Sequence, residues 1–196
     1  MDAVAQYLEE LQSALAAISR DDIRFVVEAL ANLWLTEGTA FLVGNGGSAS
    51  TASHMMNDLC KFTAFEGRRP LRAMALTDNV PLMTAYGNDV SFETIFVEPL
   101  RAFMRSGDML IALSGSGNSP NVIAACRYAI QHGATVIGLC GSPGGLLAQI
   151  AHHRVIVPAE RIGQQEDGHL VLNHVIATAL RERIAALTGQ AAVAVH

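Results

Sequence analysis

The chain has 196 residues, of which 51% are hydrophobic and 16% charged, and it carries a net charge of −5. That length and apolar content suit one domain with a large core, or one domain with an extra helical hairpin. Lys61 is the only lysine, so no basic patch points to nucleic acid, and no apolar run approaches the ~20 residues of a membrane span.

Residues 2–36 read as two helices. Val4, Tyr7, Leu8, Leu11, Leu15 and Ile18 repeat at helical spacing. Asp21 and Asp22 then cap a second helix through about Glu37, with Val26, Val27, Leu30 and Leu33 on its inner face and Gly38 ending it. Such a pair serves either as an oligomer contact or as ordinary core packing. Residues 40–43 form a short buried strand that runs into Gly44-Asn45-Gly46-Gly47-Ser48. The helix opened there carries His54 and Asp58 and ends near Phe62. A loop with Arg68, Arg69 and Pro70 leads to a strand over 72–76. Asp78 caps a helix through Met83 and Tyr86, Gly87-Asn88-Asp89 reads as a turn, and 92–104 reads as a helix interrupted near Pro99.

The next strand, 110–113, stops at Ser114-Gly115-Ser116-Gly117-Asn118-Ser119. Pro120 sits in the first turn of the following helix, which ends at His132-Gly133. A strand over 135–139, a turn, a helix over 146–151 and a strand over 155–157 come next. His152 and His153 read as an exposed helix end. A loop over 159–165 precedes a long closing helix, 166–187, and the small apolar tail beyond it is expected to fray. Continuous apolar strands alternating with helices predict a parallel sheet covered on both faces. The two glycine-rich loops then lie at the carboxyl ends of their strands, where ligands bind.

Three serines in six residues, with small neighbours and a helix N-terminus, suit an anion. No lysine follows, so the loop is not a Walker P-loop. The spacing at 44–48 lacks the third glycine of a dinucleotide fingerprint, which leaves a sugar hydroxyl or phosphate near Asn45 and Ser48. His54 and Asp58 stand at i, i+4 and share a helix face. Glu166 and His174, eight positions apart, roughly share a face of the closing helix. If these faces meet, imidazole and carboxylate groups suit zinc or a similar divalent ion, or proton transfer without one. A polar interface between helices is the alternative. Cys60, Cys126 and Cys140 show no CxxC spacing, and their odd number with no signal-peptide pattern favours a reducing cytoplasm as the expected location.

Taken together, GNGGS at 44–48, His54, GND at 87–89, SGSGNSPN at 114–121 and QEDGHLVLNH at 165–174 resemble the phosphoheptose isomerase group of sugar isomerase (SIS) domain proteins. The resemblance covers about residues 20–185. It implies a flavodoxin-like, doubly wound parallel sheet over 38–188, with residues 1–37 as helices of the same domain and 189–196 as a tail. It further implies a homotetramer with sites at subunit interfaces, and conversion of sedoheptulose 7-phosphate to D-glycero-D-manno-heptose 7-phosphate. Its phosphate loop falls on Ser114, Ser116 and Ser119. Its sugar contacts fall on Asn45, Gly46, Ser48, Asn88, Asp89 and Glu166. Its acid–base pair falls on Asp58 and His174, and the ligands of its zinc-binding members on His54, Asp58, Glu166 and His174. The chain departs from the pattern at four places. Asp58 is one methylene shorter than the usual Glu, and Glu166 replaces a Gln with an extra residue before it. Gly115 replaces a loop hydroxyl, and Lys61 and Phe62 stand where an arginine is usual. A non-catalytic module that binds a phosphosugar or a protein would keep the serine loop without needing Asp58 or His174.

Overall fold

The computed structural model describes residues 2–189. The tail expected at 189–196 therefore falls outside the described residues beyond Gly189. Two helices, α1 (Ala3–Ala16) and α2 (Arg20–Leu35), precede β1 (Thr39–Val43). Then follow α3 (Gly47–Phe62), β2 (Arg72–Ala75), α4 (Val80–Asp89), a 3₁₀ turn (Phe92–Thr94) and α5 (Val97–Phe103). The second half is β3 (Met109–Ser114), α6 (Pro120–Gln131), β4 (Thr135–Gly141), α7 (Gly145–Ile150), β5 (His153–Val157) and α8 (Ile162–Thr188).

The five strands pair in parallel in the order β2-β1-β3-β4-β5. This is the flavodoxin-like, doubly wound α/β fold, with its switch point between β1 and β3. Alternate strand residues feed two cores. Leu42, Ile111, Leu113, Leu139 and Val157 pack with apolar residues of α2, α3 and α8. Phe41, Leu110, Ala112 and Val136 pack on the opposite face with residues of α5, α6 and α7. Asp108 anchors the central pair. Its buried carboxylate accepts from Thr39 N at 2.8 Å and from Arg105 N at 2.7 Å. That joins the start of β1 to the turn before β3, and so sets the level at which the two carboxyl-end loops emerge.

Several boundaries differ from expectation, each for a local reason. Ser19 caps α2 through its hydroxyl on Asp22 N, so Asp21 and Asp22 become first-turn acids. Asn79 rather than Asp78 caps α4, accepting from Leu82 N at 3.1 Å. The turn expected at 87–89 is the last turn of α4. Pro99 lies inside the first turn of α5, where it costs no hydrogen bond, and the preceding break is the 3₁₀ turn. His153 opens β5 instead of ending a helix; its ring stacks on Phe25 with centroids 4.0 Å apart. His152 Nδ1 accepts from Val136 N at 2.9 Å. The closing helix starts four residues early, at Ile162, which makes Gln164 and Gln165 buried helical residues instead of loop.

Burial sets the chemistry of three core groups. It pushes the thiols of Cys126 and Cys140 up to about 12, which leaves them packing atoms. It lowers the His169 imidazole from 6.5 to about 4, opposed by the nearby Cys140 main chain. That main chain stops short of a well-formed hydrogen bond, since neither ring nitrogen finds a partner. The unfolded chain thus takes up this proton before the folded one as pH falls. The stability tied to neutral His169 is complete above pH 6.5 and is lost progressively down to about pH 4, on the order of 3 kcal/mol in all. Urea midpoints of the wild type should fall across that window. His169→Leu should flatten that part of the profile; an unchanged acid limb would show that other groups set it.

Candidate functional site

Two loops meet at the switch point. After β1, Gly46 takes a positive φ of 55° to start α3, a backbone setting that favours glycine. After β3, Gly117 has φ 64°, and a Cβ there would lie 1.9 Å from Gly144 O. The serine loop therefore rests backbone to backbone on the loop before α7. Leu147 N donates to Gly117 O at 2.8 Å, and Leu146 N donates to Asn118 Oδ1 at 2.9 Å.

Within the loop, Gly117 N donates to Ser114 Oγ at 3.1 Å and Asn118 N donates to Ser116 Oγ at 3.2 Å. The Ser114 and Ser119 hydroxyl oxygens are 3.3 Å apart. A hydroxyl that accepts from the loop keeps its own proton to donate, so the serines can present O–H groups to an anion at the α6 N-terminus. Asn45 and Asn121 join the two loops by a reciprocal amide pair, both bonds 2.8 Å, across 76 residues of sequence. Asn121 is buried and its Oδ1 also accepts from Val122 N at 3.0 Å. Gln165 supports the serine loop from below. Its Nε2 donates to Ala159 O at 2.8 Å, and its amide fills the space that side chains at Gly115 and Gly141 would occupy. Sequence reasoning assigned no role to Asn121 or Gln165. Both fall inside the stretches that carry the resemblance, 114–121 and 165–174, and each is a polar residue on a face otherwise apolar.

Helices α3 and α8 carry the titratable groups. Asp58 is 4% exposed. Its Oδ1 accepts from Asn57 Nδ2 at 2.9 Å and its Oδ2 from Asn173 Nδ2 at 2.8 Å. The half-exposed His54 and His174 rings lean over the same oxygen. Their Nε2 atoms lie 3.4 and 3.8 Å from Asp58 Oδ2 and 3.3 Å from each other. Among the described residues this trio is the one group whose donor atoms are gathered as a metal requires. Tetrahedral zinc with donors at ~2.0–2.1 Å needs donor-to-donor edges of roughly 3.3–3.4 Å. Two edges match, the third is slightly longer, and the N, N, O donor set suits zinc.

Glu166, expected with these three as a ligand, stands apart. Its carboxylate lies against Gly47, at the N-terminus of α3, where a Cβ on that glycine would be 2.5 Å away. Seven residues, ~10 Å of helix rise, separate Gly47 from His54. The helix dipole favours a carboxylate at that end. Ser48 is buried in the first turn of α3. Asn88 and Asp89 are exposed at the end of α4, with Asn88 Nδ2 donating to Asp89 Oδ1 at 2.7 Å.

A flavodoxin-like sheet whose switch-point loops can hold an anion, beside a histidine–carboxylate cluster, defines a sugar isomerase domain, and the SIS domain family model matches residues 5–141. The chain belongs to the SIS domain family, and within it to the phosphoheptose isomerases. It is 38% identical over 175 residues to the phosphoheptose isomerase of Aquifex aeolicus, covering 89% of this chain and 91% of that one. To the phosphoheptose isomerase of Burkholderia pseudomallei it is 35% identical over 178 residues, 88% and 90% of the two chains. The solved phosphoheptose isomerase from Neisseria gonorrhoeae superimposes with a TM-score of 0.84 at 29% identity, over 91% of this chain and 96% of that one.

The Asn45–Asn121 pair sets the spacing of the two loops. Asn121→Ala removes one partner and strands the other amide, a loss of about 1–3 kcal/mol. It should raise KM for a phosphosugar about tenfold or more, with a smaller effect on kcat. A KM equal to that of the wild type would show that the loops hold their spacing without it.

Proposed function

We propose that the protein is an aldose–ketose isomerase that converts sedoheptulose 7-phosphate to D-glycero-D-manno-heptose 7-phosphate. One observation carries this reading: Asp58 and His174, from helices distant in sequence, converge on one point 3.8 Å apart. A binding module has no need of that convergence.

In this reading Ser114, Ser116 and Ser119, with the first N–H groups of α6, hold the phosphate. Asn45, Gly46 and Ser48 contact the sugar chain from the first loop. Glu166 accepts sugar hydroxyls from its place at the α3 N-terminus, and Asn88 and Asp89 reach the chain from the end of α4. Asp58 takes the proton from C1 of the ketose and returns it to C2 of the enediol. His174 moves the hydroxyl proton between O1 and O2. Such paired transfers contribute about 10²–10⁴-fold each. His54, Asp58 and His174 would hold zinc or another divalent cation, which when bound supplies Lewis-acid polarisation of the substrate carbonyl. Glu166 would join as a further ligand only by turning away from its place against Gly47.

The assembly proposed is a homotetramer with sites at its interfaces. Supporting it, Leu170, Val171 and Val175 flank His174 in the sequence of α8 as exposed apolar side chains, and Val4 and Leu8 are exposed apolar side chains on α1. A monomer in sedimentation velocity would sink that part. The proposed location is the cytoplasm, consistent with three free cysteines and with no helix, among the described residues, long and apolar enough to cross a membrane.

The purified protein should turn over sedoheptulose 7-phosphate. His174→Ala and Asp58→Asn should each lower kcat by about 10²-fold or more, while Ser116→Ala should chiefly raise KM. Chelation followed by zinc titration measures how far turnover depends on the ion. Retained phosphosugar binding with no turnover of any heptose or hexose phosphate would replace the enzyme by a binding module.

A further inference from the structure

Asn173 lies next to His174 on α8, yet its side chain points the other way, into the protein. It is fully buried, on a helix face otherwise built from Leu172, Ile176, Leu180 and Ile184. An amide in such surroundings costs stability unless both its ends are paired. Only one is. Nδ2 donates to Asp58 Oδ2 at 2.8 Å, across 115 residues of sequence, while Oδ1 has no partner. An apolar residue at 173 would complete the seam without that cost. The single bond that Asn173 makes is to the oxygen that faces His54 and His174.

Asp58 itself is short, buried and held at both ends. Asn57 fixes Oδ1 from the same helix, and Asn173 fixes Oδ2 from the neighbouring one. Two amide donors on two oxygens leave the carboxylate plane little freedom to turn. The lone pair of Oδ2 that Asn173 does not use is then available to the open side, where the two imidazoles are. We infer that Asn173 is a positioning residue: its amide aims Asp58 Oδ2 at the point shared by His54 and His174. This rests on the reading of Asp58 as a working group in turnover and metal binding. Groups that orient a first ligand in this way typically affect metal affinity by about 10–100-fold, and misdirection of a reacting group lowers turnover without weakening a distant phosphate grip.

The test uses the full chain and two readouts. Asn173→Leu, which keeps the branched shape and heavy-atom count, and Asn173→Ala, which only removes atoms and serves if the first does not fold, should both lower kcat for sedoheptulose 7-phosphate by about tenfold or more, with KM within about twofold. Calorimetric titration of the metal-free protein with zinc should show binding weakened by about 10–100-fold. Asn173→Leu placed in an Asp58→Asn background should add almost nothing to either loss, because its effect passes through Asp58. Unchanged kcat and zinc affinity in the folded single variants would overturn the inference, as would losses that add in full to those of Asp58→Asn. Wild-type turnover by Asp58→Asn alone would instead overturn the reading beneath it, and the two failures are read from different variants.

Discussion

Helices α3 and α8 run side by side in the same direction, and the geometry of the histidine–carboxylate trio depends on that contact. Four pairs mark its course: Gly47 with Glu166, His54 with His174, Asp58 with Asn173, and Phe62 O with Arg181 Nη1 at 2.8 Å. Between them Ala52, Met55 and Leu59 share one core with Leu172, Ile176 and Leu180. Apolar burial of this kind is non-directional, so it presses the helices together without choosing their register. The polar pairs along one edge choose it. A shift of one turn would carry His174 past His54 and leave Asp58 and Asn173 buried without each other.

The sheet supplies the other fixed reference. Parallel β1 and β3 are locked at their entrance by Asp108 and end at the two loops. The loops are then tied by Asn45 and Asn121 and buttressed by Gln165 from α8. One helix thus serves both halves of the site. Its first turn supports the serine loop, and its fourth turn carries Asn173 and His174. The placement of Glu166 at the α3 N-terminus divides the two regions. The α3 N-terminus already faces a carboxylate, whereas the α6 N-terminus faces the serine loop.

The strands, both glycine-rich loops and the order of elements were legible in the sequence, because each is a local matter. Apolar runs of four to six residues, Pro after Ser119 and Gly at positive φ all act within a turn or two of themselves. The i, i+4 pairing of His54 with Asp58 follows from helix geometry alone. The meeting of that pair with His174 does not, since nothing local says which face of α8 lies on α3. Sequence spacing grouped Glu166 with His174, but a parallel helix pair keeps residues two turns apart separated by that same rise. The amides Asn121, Gln165 and Asn173 were silent for a related reason. An Asn or Gln in a helix reads as solvent-facing until the neighbouring element is in place.

What the sequence alone determined is therefore the α/β alternation, the positions of the two anion-suited loops and the inventory of reactive groups. Only the tertiary structure decided which of those groups meet. It brought His54, Asp58 and His174 to within 4 Å of each other, laid Glu166 against Gly47, and made three amides that had no assigned role into the ties between loops and helices. Backbone propensity and hydrophobic period act over a few residues. The register between helices is settled by packing and buried hydrogen bonds between segments more than a hundred residues apart.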